Sequence, residues 1–310
     1  MYDDAPGSPT DDPVHPDLRL AARLLPRTIV TGATIRPLKA LSRRLAGRRP
    51  AGVDVHDLGD GVAVRVHRPA DDDVTTASSG GAMLWMHGGG YVIGSAAGDD
   101  QRCSEFARRL GIVVAAVEYR LAPGHPYPVP LQDCHLALEW LARQSDVDAD
   151  RIILGGASAG GGLAAALALR CRDVGDFAPR FQLLVYPMID DRTTEDPAGD
   201  PARLRVWSPR SNRVAWAAYL GGADPVLVAP ARRDDLHGLP PTWIGVGTRD
   251  LFHDEDLAYA RRLSDAGVPV TFDTVPGAFH GFDIVAPKLR VSREFLGRQC
   301  EILAGVIGTW

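Results

Sequence analysis

The tract Gly156-Ala157-Ser158-Ala159-Gly160 has the form G-x-S-x-G. It directly follows the apolar run Ile152-Ile153-Leu154 and directly precedes a helical pattern from Gly161 to Arg172. A serine at such a sharp strand-to-helix turn presents its hydroxyl above a sheet, and only small flanking residues avoid a clash there. A glycine-rich turn in the same place can also receive phosphates. The spacing here does not give G-x-G-x-x-G, however, and no lysine follows as a P-loop requires. Ser158 is therefore a candidate nucleophile.

A serine hydroxyl is a poor nucleophile without a base. Of the nine histidines, His280 stands in Pro276-Gly277-Ala278-Phe279-His280-Gly281-Phe282, between the last strand pattern and the last helix pattern. A loop at the carboxyl edge of a sheet belongs there. The imidazole needs a carboxylate to fix its tautomer. Asp250 follows the strand pattern of Thr242 to Val246, again at a carboxyl edge. Asp254, Glu255 and Asp256 compete with it, but they sit at a helix start, where the helix dipole favours acidic residues. His87-Gly88-Gly89-Gly90 ends another strand pattern. Glycines let backbone N–H groups face a site with no Cβ in the way. Gly88, Gly89 and Gly90, together with the N–H of Ala159, are candidate donors to a tetrahedral oxyanion.

These residues need a sheet whose strands all end on one side. Residues 53–69 alternate, with Val62, Val64 and Val66 on one face and a turn at Gly59-Asp60-Gly61, which predicts a β-hairpin. Continuous apolar runs then alternate with helical periodicity: strands near 82–86, 112–117, 152–154, 183–186, 242–246 and 268–275, with helices between them and a last one near 287–306. Such runs mean strands covered on both faces, and their alternation with helices means a mostly parallel, doubly wound α/β sheet. Residues 189–225 break the rhythm and read as helical turns lying over the carboxyl edge, with Trp207 and Trp216 as pocket walls. Two amphipathic helices precede the hairpin, with Leu18, Ala21, Leu24 and Leu25 on one and Ile35, Leu38, Leu41 and Leu45 on the other. Their arginines, Arg43, Arg44, Arg48 and Arg49, read as a solvated face. Residues 1–17, rich in Pro, Gly and Asp, are expected to fray.

The 310 residues carry a formal charge of −5, so nothing argues for a nucleic-acid or anionic-membrane partner. No apolar stretch approaches the roughly 20 residues that span a bilayer. The acidic start Met1-Tyr2-Asp3-Asp4 has no apolar region, so no secretory signal is expected. Cys103, Cys134, Cys171 and Cys300 are scattered, with no C-x-x-C pair and no zinc spacing, which suits reduced thiols in a cytoplasm.

Taken together, the chain from Val53 onward resembles the hormone-sensitive-lipase family of α/β-hydrolases, the bacterial family IV esterases. The resemblance rests on His87-Gly88-Gly89-Gly90, Glu118-Tyr119-Arg120-Leu121-Ala122-Pro123 with Pro126-Tyr127-Pro128, Gly156-Ala157-Ser158-Ala159-Gly160-Gly161, Asp250-Leu251 with Asp254-Glu255, and His280-Gly281-Phe282, in that order. It implies hydrolysis of short- to medium-chain acyl esters by a Ser158-His280-Asp250 triad, with no metal or organic cofactor. It implies an oxyanion hole from Gly89, Gly90 and Ala159, and a structural role for Tyr119-Arg120. It also implies a cap made of residues 1–50 and the 189–225 insertion over a catalytic domain of residues 51–188 and 226–310. Ala157 departs from the Asp or Thr often found before the nucleophile, and Leu251-Phe252 from the usual Pro-Leu. The same triad would serve an amide or N-formyl hydrolase. Non-catalytic receptors on this fold have lost the histidine, which is present here as His280. The expected partner is a small-molecule ester, without nucleic acid or integral membrane association; a homodimer is left open.

Overall fold

Apolar runs without polar alternation become strands buried on both faces. The computed structural model describes residues 12–47, 50–69, 80–195 and 203–309. Residues 1–11, which include most of the stretch expected to fray, Arg48 and Arg49, residues 70–79, residues 196–202 of the insertion and Trp310 lie outside them. The strands are β1 (Val53–Gly59), β2 (Val62–His67), β3 (Ala82–Met86), β4 (Val113–Glu118), β5 (Ile152–Ala157), β6 (Phe181–Val185), β7 (Thr242–Gly247) and β8 (Val270–Val275). They form one eight-stranded sheet in the order β1-β2-β4-β3-β5-β6-β7-β8. The β1–β2 hairpin and the β2–β4 pair are antiparallel; all other pairs are parallel. Every residue of β3, β5, β6 and β7 is buried.

The helices are α1 (Arg19–Leu24), α2 (Ile35–Ala46), α3 (Asp100–Leu110), α4 (Val129–Ala142), α5 (Ala159–Val174), α6 (Pro209–Leu220), α7 (Pro225–Val228), α8 (His253–Asp265), α9 (Phe282–Val285) and α10 (Arg290–Ile307). The two-residue period of the strands sorts the core into two layers. Leu84, Met86, Val113, Ala115, Val117 and Leu184 face α4, α5 and α8. Met83, Trp85, Val114, Ala116, Leu183 and Val185 face α1, α3 and α10. Cys134 and Cys171 lie in the first layer, Cys103 and Cys300 in the second, and all four thiols are free and buried.

Sheet order decides where a site can form. From β3 the chain steps outward to β4, then back past β3 to β5, so connections leave β3 and β5 in opposite directions. The crevice at the strands' carboxyl ends opens at such a switch point. Parallel register sets Met86 opposite Gly156. The loop after β3 and the turn after β5 therefore emerge side by side. Gly247 pairs with Val275 in the same way, placing the loops after β7 and β8 together.

The segment between β6 and β7 divides in two. Its first part meets the N-terminal stretch: Val206 N–H donates to the Pro26 carbonyl (2.9 Å), Thr28 Oγ1 to Ser208 Oγ (2.9 Å) and Ser211 Oγ to the Val30 carbonyl (3.0 Å). Its later part packs on the sheet's helices: Arg172 Nη1 of α5 donates to the carbonyls of Asp235 (3.0 Å) and His237 (2.9 Å), and Arg262 of α8 to those of Ala231 and Arg233.

Residues 12–17 do not fray. His15 N–H donates to the Gly277 carbonyl (2.9 Å), Arg249 Nη1 to the Asp12 carbonyl (2.7 Å) and Thr248 Oγ1 to Asp12 Oδ2 (2.8 Å). Gly277 has φ +71°, and a Cβ there would overlap the Pro13 carbonyl and the His15 nitrogen. The segment whose composition suggests disorder instead accepts twice through Asp12 and donates once through the His15 N–H.

Candidate active site

Ser158 stands between β5 and α5 with φ +56° and ψ −121°, a conformation that side chains rarely adopt. The turn survives because its flanks are bare: a Cβ on Gly156 would overlap the Gly160 carbonyl, and one on Gly160 the Met86 carbonyl. The backbone is tied on both sides. Ser158 N–H donates to the Val185 carbonyl (2.9 Å), and the Ser158 carbonyl accepts from Gly162 (3.0 Å) and Met188 (2.9 Å). The strained turn holds Ser158 Oγ 2.9 Å from Nε2 of His280.

Nδ1 of His280 lies 2.8 Å from Oδ2 of Asp250, whose Oδ1 accepts from the Phe252 N–H (3.0 Å). Serine, histidine and aspartate are all buried. A carboxylate facing Nδ1 places the proton there and leaves Nε2 as an acceptor for the hydroxyl. Three aromatic rings surround the imidazole: Tyr186 edge-on at 4.9 Å, Phe252 edge-on at 5.0 Å and Trp207 tilted at 6.1 Å. Phe252 belongs to the Leu251-Phe252 departure noted above, so that departure sets an aromatic edge against the base.

The competing acids point elsewhere. Asp254 Oδ1 pairs with Nδ1 of His253 (2.7 Å), which lowers its pKa. Glu255 Oε1 accepts from the N–H groups of Ile189 (2.9 Å) and Asp190 (3.1 Å). Asp256 is fully buried with neither oxygen hydrogen-bonded, and burial pushes its pKa well up. Among the described residues, His280 is the histidine within hydrogen-bond reach of Ser158. His67 faces Ser104 and Asp100, His135 faces Arg170, and His237 faces Asp235.

The glycine loop after β3 lies beside the serine turn. His87 stacks on Tyr119 (4.2 Å, 10°), its Nδ1 donates to the Gly88 carbonyl (2.7 Å), and Tyr119 Oη donates to the His87 carbonyl (2.8 Å). Gly89 has φ +119°, and its carbonyl accepts from Val92 and Ile93. That turn leaves the Gly89 and Gly90 N–H groups, like that of Ala159 at the start of α5, with no protein acceptor among the described residues. Arg120 pairs with Asp133 through Nη2 (2.6 Å), holding the loop after β4 to α4.

A cavity of about 240 Å³ opens over Ser158 and His280. Gly88 and Gly89 form one side; Ile29, Ile93, Tyr186, Val206, Trp207, Ile284 and Val285 make the wall mostly apolar, with Ser95 and Asp99 among its polar members. Trp216 is not in that wall. It packs from α6 against Tyr91 (5.4 Å), with Tyr219 of the same helix 6.0 Å away. Tyr186, Phe252, Ile284 and Val285 were not legible as site residues in the sequence; Tyr186, directly after β6 at the carboxyl edge, carried the one positional signal. Among the described residues, His135, Cys171 and Asp176 gather ligand atoms within 4.8 Å. Arg170 Nη1 already bonds to Nδ1 of His135 (2.8 Å) and Asp176 Oδ2 (3.1 Å), which makes this an ion-pair cluster between α4 and α5. No helix among the described residues is long and apolar enough to cross a membrane.

Comparison with known proteins gives this geometry a lineage. A family described as the alpha/beta hydrolase fold matches residues 83–284. Esterase LipI of Mycobacterium tuberculosis is 35% identical over 231 residues, 72% of each chain. An ethyl acetate hydrolase of Pseudomonas putida is 31% identical over 283 residues, 85% of this chain and 87% of its own. The solved structure of a bacterial heroin esterase superposes with a TM-score of 0.82 at 34% identity, covering 95% of this chain and 98% of the other. The chain belongs to the α/β-hydrolase-fold family, in its hormone-sensitive-lipase-like group of carboxylic ester hydrolases.

Proposed function

We propose that the chain hydrolyses short- to medium-chain acyl esters through an acyl-enzyme on Ser158. The observation that carries this reading is the unbroken chain from Ser158 Oγ through His280 to Asp250, at 2.9 and 2.8 Å, beneath an apolar cavity. Ser158 Oγ attacks the ester carbonyl carbon while His280 Nε2 takes its proton. Asp250 holds the ring and stabilises the imidazolium that forms. The carbonyl oxygen becomes an oxyanion facing the N–H groups of Gly89, Gly90 and Ala159, in a loop begun by Gly88. Collapse breaks the bond to the leaving alkoxide, which receives the proton from Nε2. Water then repeats the sequence on the acyl-serine, releasing the acid and returning the proton to Oγ.

A cavity of about 240 Å³ falls just below the usual size of ligand sites, about 300–1,000 Å³, and favours acyl chains of about two to eight carbons over long ones. Residues 1–50 and the 189–225 insertion act as the cap over a catalytic domain of residues 51–188 and 226–310. The contacts of Thr28 and Val30 with Ser208 and Ser211, and the places of Ile29, Val206 and Trp207 in the cavity wall, support that division. Four buried free thiols suit the reducing cytoplasm as the working compartment. Ser158→Ala tests the mechanism. The elbow tolerates the smaller residue, so the fold persists and turnover of p-nitrophenyl butyrate falls by about four orders of magnitude or more. A folded variant within about tenfold of wild type would reject Ser158 as nucleophile.

A further inference from the structure

We propose that Asp283, clamped by Arg102, is a positioning residue for His280 and acts through the ring of Tyr186. The inference rests on the reading of Ser158, His280 and Asp250 as the reacting groups. One hydrogen bond to Asp250 fixes where Nδ1 sits but leaves the imidazole free to rock about that bond. The ring plane is set by its aromatic neighbours, Phe252 at 87° and Tyr186 at 67° close by and Trp207 at 44° farther off. Phe252 is held by its own backbone beside Asp250. Tyr186 is held by something less ordinary.

Tyr186 follows β6 with φ +35°, in the left-handed region, and its N–H donates to the Gly245 carbonyl (2.8 Å). Its hydroxyl donates to Asp283 Oδ1 (2.7 Å). Asp283 Oδ2 accepts from Arg102 Nη2 (2.5 Å), and the Arg102 guanidinium lies 5.5 Å over the Trp85 ring. Trp85 Nε1 in turn donates to Asp99 Oδ2 (2.9 Å). Asp283 and Tyr186 are buried, and Arg102 is nearly so. A buried ion pair is a poor device for stability, because an apolar pair of like volume commonly does as well or better. It is a good device for direction: the carboxylate is pinned on one oxygen by α3, so the other oxygen offers the tyrosine hydroxyl a single position. The same acid lies three residues after His280, in α9. One side chain thus ties the chain segment carrying the base to the ring that orients it.

The test uses Tyr186→Phe, which keeps the ring and deletes the hydroxyl, and Asp283→Asn. Each lowers kcat on a neutral ester by about tenfold to a hundredfold, as a small misplacement of a reacting group does, and leaves KM within about twofold. The double variant is no worse than the more damaged single one, because both break the same tie. The far-downfield proton resonance of the His280–Asp250 hydrogen bond broadens or shifts in both. If Asp283→Asn does not fold because Arg102 is left uncompensated, Arg102→Met with Asp283→Leu removes both charges together and gives the same fall in kcat. Folded variants that keep kcat within about twofold, with an unmoved proton resonance, overturn the role even if their Tm falls. Ser158→Ala separates the two readings: if it stays active, the mechanism and the positioning role fall together. If it is inactive while Tyr186→Phe and Asp283→Asn match wild type, only the positioning role falls.

Discussion

Gly90→Ala adds one methyl group at the contact between the glycine loop and the cap. An ideal Cβ there overlaps Cη2 of Trp207, lies 2.8 Å from its Cζ2 and 3.2 Å from the Ala215 Cβ. The indole cannot swing away freely, because it is buried and its Nε1 donates to Asn212 Oδ1 (3.2 Å), while Asn212 is itself bonded to the Thr193 carbonyl (2.7 Å). Overpacking of this kind costs about 1–3 kcal/mol. Gly90 also has φ +59°, where a side chain costs roughly 1–2 kcal/mol. The stiffer unfolded chain of alanine offsets only about 0.4–1 kcal/mol. The net expectation is a loss of roughly 1–5 kcal/mol in stability. If the loop yields instead of the indole, the Gly90 N–H leaves its place and kcat falls by about 10²–10³. Urea unfolding and kcat on p-nitrophenyl butyrate measure the two effects, and Trp207→Leu in the same chain relieves the packing part while leaving the backbone part. A Gly90→Ala protein with wild-type stability and kcat, or one that Trp207→Leu does not relieve at all, would refute the reasoning.

Asp250→Asn keeps the shape of the site but reverses the hydrogen-bond polarity at Nδ1 of His280; kcat should fall by about 10⁴ with Tm little changed, whereas Asp254→Asn, which alters only the pair with His253, leaves kcat near wild type. Asp256 is buried without a partner and its pKa is raised, so its contribution is fully present below the unfolded carboxyl value of about 3.9 and is lost as pH rises above it. The Tm of Asp256→Asn, measured against wild type, should therefore improve steadily from about pH 4 to pH 7, and a difference independent of pH would contradict the assignment. Deleting residues 1–17 removes the Asp12 and His15 contacts to the loops bearing Asp250 and His280, so kcat falls while the ratio of acetate, butyrate and octanoate turnover holds. Deleting residues 1–45 also removes Ile29 from the cavity wall, and that ratio then changes.

Strand positions were legible because continuous apolar runs have few other uses in a chain of this composition. The serine turn was legible because small residues bracket Ser158 on both sides. Asp250 was separable from Asp254 only as a matter of position, since both follow β7; what decides between them is a turn at 247–250 whose Gly247 has the Ala278 carbonyl where a Cβ would be. Residues 12–17 misled because composition reports local preference, while Thr248, Arg249 and Gly277 reach them from more than 230 positions away. Trp207 and Trp216 looked alike in sequence, but the helix α6 turns the second onto Tyr91, away from the cavity. Tyr186, Arg102 and Asp283 gave no signal as a set, because their link is a hydrogen-bond path between a strand end and two helices.

Free thiols are divided evenly between the two core layers, Cys134 and Cys171 on one side of the sheet and Cys103 and Cys300 on the other. Burial raises the pKa of all four, with Cys171 pushed up to about 12 and Cys300 to about 11. An alkylating reagent attacks the thiolate, so the native protein should be nearly inert to iodoacetamide at neutral pH. Each thiol then becomes a clock for the opening of its own helix against the sheet. Timed alkylation read by peptide mass would rank α3, α4, α5 and α10 by how often they part from the core, and would show whether the layer that bears the Arg102 clamp opens before or after the other.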